Sequence, residues 1–157
     1  MTDLKQSTAE NQKKKNKQKK TKRILIAEPE PDIQYLYSLY TKQYGFSISD
    51  VSIVESGNKC LEIVFSNIND NNNDNDNDDY DIIILDTHLH DISGFDVAKK
   101  IHDRLTHKKI ILTTTYSLDN INSMIDSIGI KNQDLLFKPF SYSDLVSILK
   151  EPGISYN

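Results

Sequence analysis

The chain has 157 residues, 37% of them hydrophobic and 27% charged, which is enough for one domain with a real core. A single cysteine, Cys60, excludes a disulfide scaffold, no apolar run approaches the ~20 residues of a membrane span, and no secretory signal pattern opens the sequence. The expectation is a soluble cytoplasmic protein of formal net charge −4.

That net charge hides a polarity. The first 23 residues hold nine Lys/Arg and two acids, and the remainder holds ten and 21. The run from Lys13 to Lys20 has no apolar side chain to offset its ordering entropy, so residues 1–22 are expected to be a disordered Lys-rich tail. Nucleic acid is disfavoured as a partner, because no aromatics interleave these lysines; the tail is the one segment that could touch it.

Residues 23–27 (RILIA) are a short apolar run with β-branched members and predict a buried strand. Pro31 suits the first turn of a helix, Ile33, Leu36, Tyr37, Tyr40 and Tyr44 share one helical face, and Gly45 is a stop. Residues 48–54 alternate as a strand should. Residues 57–68 place Leu61, Val64, Phe65 and Ile68 on one helical face, with Cys60 expected in the core. Residues 67–80 are rich in Asn and Asp. They lack the central Gly and terminal Glu of a twelve-residue calcium loop, so they are expected to be an expanded surface loop.

Residues 81–86 (DIIILD) form the most apolar strand and are expected mid-sheet. An amphipathic helix follows over 94–105, then a strand over 110–114. A helix with Ile121, Met124, Ile125 and Ile128 inward ends at Gly129, and a fifth strand covers 134–137. Ser141-x-x-Asp144 resembles a capping box opening a last helix with Leu145, Ile148 and Leu149 inward. Residues 151–157 form a short C-terminal tail. Five strand–helix units imply an α/β fold: a doubly wound five-stranded parallel sheet with helices on both faces. Function then belongs at the carboxyl ends of the strands. There the sequence offers Glu28, Asp86, Thr113 or Thr114, and Lys138.

The segments ILIAEPEPD (24–32), YDIIILD (80–86), Gly94, IILTT (110–114) and Lys138-Pro139-Phe140, in this order, resemble the receiver domain of two-component response regulators. The resemblance covers about residues 23–150 and implies a flavodoxin-like receiver fold. It also implies a signalling switch rather than a classical enzyme, with self-catalysed phosphoryl transfer and autodephosphorylation at most. Asp86 would accept a phosphoryl group from a histidine kinase or a histidine phosphotransfer protein, and a downstream protein target would read the change. Lys138 would pair with the phosphoryl group, and a strand-four hydroxyl, Thr114 in preference to Thr113, would shift to meet it. Mg2+ would be the cofactor, with Asp86, Glu28 and the main-chain carbonyl of His88 as ligands and Glu30 as a further candidate. A Lys138–Pro139 bond of the cis kind, usual in the family, would aim the lysine inward.

This chain departs from the family at three positions. Pro29 stands where a second acid is usual and offers no side-chain oxygen, which should weaken magnesium sharply. His90 stands where proline is common, and Leu135 where many members carry an aromatic. The expectation is a stand-alone phosphorylatable receiver. The alternative is a pseudo-receiver, an interaction module that neither binds metal nor becomes phosphorylated. A haloacid-dehalogenase-type phosphatase is disfavoured because His88 stands where its second Asp belongs, and a nicotinamide enzyme because no glycine-rich turn follows strand one. His88 and His90 lack a third defined ligand for a metal site of their own.

Overall fold

A computed structural model describes residues 21–69 and 80–150, without the side chains of 67–69. The expectations for the Lys-rich tail, for nearly all of the Asn/Asp-rich insertion, for Ile68 and for the C-terminal tail lie outside these residues.

Strands β1 (Ile24–Ala27), β2 (Val51–Val54), β3 (Ile82–Asp86), β4 (Lys109–Thr114) and β5 (Leu135–Phe137) form one parallel sheet in the order β2-β1-β3-β4-β5. Helices α1 (Pro31–Tyr44), α2 (Gly57–Asn69), α3 (Gly94–Arg104), α4 (Leu118–Ile128) and α5 (Tyr142–Leu149) alternate with them. β3 is central, and all five of its residues are buried, as its apolar composition predicts.

Strand alternation divides the core in two. Leu25, Ile83, Leu85 and Leu112 pack with α2, α3 and α4 side chains such as Val64, Val97, Ile101 and Ile125. Ile24, Ile26, Ile84 and Ile111 pack with Tyr37 of α1 and with Leu145, Ile148 and Leu149 of α5. Each such fully buried aliphatic side chain contributes about 1.5–3 kcal/mol. The helix ends use the expected chemistry. Pro31 opens α1, Gly45 (φ 115°) and Gly129 (φ 83°) close α1 and α4 in left-handed geometry, and Ser141 and Asp144 form the capping box of α5.

Three expectations fail. Residues 48–50 are not strand but a 3-10 turn, held by Ser47 and Asp50, which bond across it, and Ile48 is 97% exposed. Local side-chain bonds to the backbone outcompete the ladder there. Tyr44 is exposed and stacks on Phe46 (ring centroids 5.6 Å) instead of joining the α1 core face. Met124 lies at the margin of the α4 stripe and is also exposed.

The crossover between β1 and β3, where the strand order reverses, opens a crevice at their carboxyl ends. Gly94 fixes its floor. A Cβ there would sit 2.1 Å from the carbonyl oxygen of Asp86, so α3 can approach the end of β3 this closely only without a side chain.

Candidate functional site

Asp86 ends β3 with 4% of its surface exposed. One carboxylate oxygen, Oδ1, accepts from the His88 amide at 2.6 Å, and the other accepts a hydrogen bond from Lys138 Nζ. Lys138 follows β5, whose end is tied to β4 by the Lys138 amide donating to the Thr114 carbonyl at 2.8 Å. The Lys138–Pro139 peptide is cis. The same ammonium donates to Glu28 Oε2 at 2.7 Å. Glu28 follows β1, is 0% exposed, and its Oε1 accepts from the Glu30 amide at 3.0 Å. One lysine is thus shared by two buried carboxylates drawn from strand ends 58 and 52 positions apart in sequence from one another and from the lysine.

The electrostatics follow from this sharing. Burial pushes the Glu28 carboxyl above its ordinary 4.5, although the Lys138 and Glu30 hydrogen bonds oppose it. Burial alone would lower the Lys138 ammonium. Its hydrogen bonds to Asp86 and Glu28, and their charges, win and hold it above its ordinary 10.5.

An open cavity of about 490 Å³ borders Asp86 and Lys138, with Pro29, Glu30, His88 and Thr115 among its walls. Glu28 is not among them. Expected as a metal ligand, it lies beneath the cavity and faces the lysine. Glu30 reaches the rim, with its carboxylate 4.0 Å from His90 Nε2 and both side chains well exposed.

The strand-four hydroxyls lie on opposite faces of the sheet. Thr113 is paired across from Asp86 in the β3–β4 register, and its hydroxyl donates to the Leu85 carbonyl at 3.5 Å. Thr114 Oγ1 accepts from the Thr87 hydroxyl and from the Tyr116 amide, both at 3.0 Å. Thr87 also reaches the His88 ring (3.3 Å to Nδ1), which packs on Tyr116 with centroids 4.5 Å apart. This circuit joins the loop after β3 to the loop after β4. Sequence reasoning missed Thr87, Tyr116 and the wall residue Thr115. A run of three threonines followed by Tyr116 was the available signal, but it does not say where the strand stops.

The family model of the response regulator receiver domain matches residues 24–150. The chain belongs to the response regulator receiver domain family. SaeR of Staphylococcus epidermidis is 26% identical to it over 123 residues, covering 78% of this chain and 46% of that protein. The response regulator protein TrrA of Thermotoga maritima shares 30% identity at a TM-score of 0.62, covering 80% of this chain and 94% of that one. The chemotaxis response regulator CheY4 of Vibrio cholerae has the same fold at a TM-score of 0.65 and 18% identity, over 82% and 96% of the two chains. The receiver domain chain spans about half the length of the curated relatives it matches. Receiver domains are signalling domains of two-component systems and not classical enzymes. They work with histidine kinases or phosphotransfer proteins and with downstream targets. No described helix is long and apolar enough to cross a membrane.

Receiver domains generally bind Mg2+ at the phosphorylation site. The donor set of this one fits that ion poorly. Magnesium needs near-octahedral oxygen ligands from one or two carboxylates. Glu28 is committed to Lys138 and the Glu30 amide, position 29 offers no side-chain oxygen, and Glu30 stands exposed at the rim, which leaves Asp86 as the one buried carboxylate facing the cavity.

Proposed function

We propose that this receiver domain accepts a phosphoryl group on Asp86 from a phosphohistidine of a histidine kinase or phosphotransfer partner. The observation that carries this reading is the Asp86 carboxylate, closing the central strand, ion-paired with Lys138 and open to a cavity. A carboxylate oxygen of Asp86 attacks phosphorus in line. The P–N bond breaks, and its electron pair returns to the imidazole nitrogen, which takes up a proton. Lys138 moves its ammonium toward the transferring oxygens as negative charge gathers on them. The His88 amide holds the other oxygen of Asp86 and so fixes the direction of attack.

The product carries about −1.5 to −2 charges beside Lys138. The switch hydroxyl is that of Thr114, bonded to Thr87 and to the Tyr116 amide at the carboxyl end of β4. Turning it toward a phosphoryl oxygen releases the Tyr116 loop, and a downstream protein reads the released surface. TrrA, at 30% identity, forms a complex with Mg2+ and BeF, which supports a phosphoryl-binding role for this fold.

Incubating the full chain with phosphoramidate should label the wild type and leave Asp86→Asn unlabelled with its circular dichroism unchanged. Equal labelling of both proteins would reject Asp86 as acceptor. A second reading, a pseudo-receiver that only binds proteins, is favoured by Pro29 and by the commitment of Glu28 to Lys138. It predicts that neither protein is labelled.

A further inference from the structure

Every positive charge that could meet an oxyanion in this cavity must come from a side chain or from a bound cation. The cavity walls supply one permanent cation, Lys138. Its ammonium has two buried carboxylate partners, one in the cavity wall and one beneath it. The partner beneath is fully buried. Glu28 spends both oxygens on internal donors, Lys138 Nζ at 2.7 Å and the Glu30 amide at 3.0 Å. Its main-chain carbonyl is held as well, by Gln34 Nε2 at 2.6 Å. Its main-chain amide donates to the Val54 carbonyl at 2.9 Å, so the backbone that carries Glu28 is pinned on both sides of the side chain.

Turning Glu28 toward the cavity would strand Lys138's second bond and expose a side chain that is now fully buried. A divalent cation beside Asp86 would also stand close to the ammonium already bonded to that carboxylate, and the two like charges repel. Pro29, at the rim where a third oxygen would have to come from, supplies none.

We propose that this cavity takes a tetrahedral phosphoryl group, or its beryllofluoride mimic, without a resident divalent cation. The inference rests on the phosphoryl-acceptor reading for its ligand, but its statement about the cation stands on the donor set alone. The lysine does the neutralising.

The test is site-resolved. Amide spectra of the isotopically labelled full chain are titrated with magnesium, following residues 28–30 and 86–90, in the wild type and in Pro29→Asp. The expected result is no saturable shift at these amides in the wild type at millimolar magnesium, and saturable binding in Pro29→Asp at least about tenfold tighter. Saturable wild-type shifts centred on Asp86 and His88 would overturn the proposal. Flat titrations in both proteins would overturn the assignment of the missing ligand to position 29. In parallel, phosphoramidate labelling of the wild type should be unchanged by a chelator. Labelling that vanishes with the chelator contradicts this inference and leaves the acceptor reading standing. No labelling under either condition contradicts the acceptor reading, while the magnesium titration still decides the inference.

Discussion

Lys109 and Lys138 are two half-buried lysines at opposite ends of one sheet, and burial works against the charge of both. At the amino end Lys109 Nζ donates to the Ile148 carbonyl at 2.6 Å, where it closes the last turn of α5. A neutral carbonyl does not compensate the loss of water. Burial pushes the ammonium below its ordinary 10.5, with Asp134 opposing and Lys22 adding to the fall. At the carboxyl end Lys138 meets two carboxylates and is held above the same value. The amino-end pattern repeats nearby: the Arg23 amide donates to Asp81 at 2.9 Å and Lys108 Nζ to the Tyr80 carbonyl at 2.6 Å. Charges at one end stitch backbone together. Charges at the other end hold each other beside open space, which is where a third charged group can change the balance.

Removing the shared cation breaks the comparison most severely. Lys138→Met leaves Glu28 and Asp86 buried without a cation and should cost about 3–5 kcal/mol in urea unfolding at neutral pH. The loss should shrink in acid as Glu28, whose carboxyl lies above its ordinary value, takes up a proton. A loss that does not change with pH would mean the triad is not the cause. Gly94→Ala drives a methyl into the Asp86 carbonyl and should cost about 1–3 kcal/mol, with amide shifts confined to the carboxyl end of the sheet. Lys109→Met, at the other end, gives up one charge-assisted bond to a carbonyl and should cost about 1.5 kcal/mol, with the cavity amides unmoved. Asp91→Ala should cost about 1 kcal/mol. Its carboxylate caps the start of α2 through the Gly57 and Asn58 amides at 2.9 and 2.8 Å.

Alkaline titration sharpens the contrast. The contribution of Lys138 to stability is fully present below 10.5 and is lost as pH rises through its raised value. Lys109 acts in the opposite sense: its depressed value means the unfolded chain binds more protons, so its contribution rises with pH up to 10.5. Direct ammonium NMR should show Lys109 losing its proton first, and the reverse order would contradict the assigned partners.

Asp86 and Lys138 were legible in the sequence because each directly follows or ends an apolar run, and a parallel sheet brings such ends together. Gly94 was legible only by its spacing from Asp86; the collision it avoids needs coordinates. The orientation of Glu28 was not legible, since a carboxylate after a strand can turn to a cavity or beneath it, and the deciding partner lies 110 residues away. The Asp91 cap was hidden for the same reason, across 33 and 34 residues. Ile48 misled because Ile-Ser-Asp-Val-Ser-Ile-Val alternates as a strand would, while Ser47 and Asp50 close a turn over it. Met124 satisfied helical spacing at the margin of a stripe, where one face of α4 passes from core to solvent.

Peptide mapping by mass spectrometry after phosphoramidate treatment tests the central claim most directly. The account predicts one added phosphoryl group, carried on the peptide containing Asp86 and absent from Asp86→Asn. An unmodified wild type, or a phosphoryl group mapped to any other residue, would contradict it.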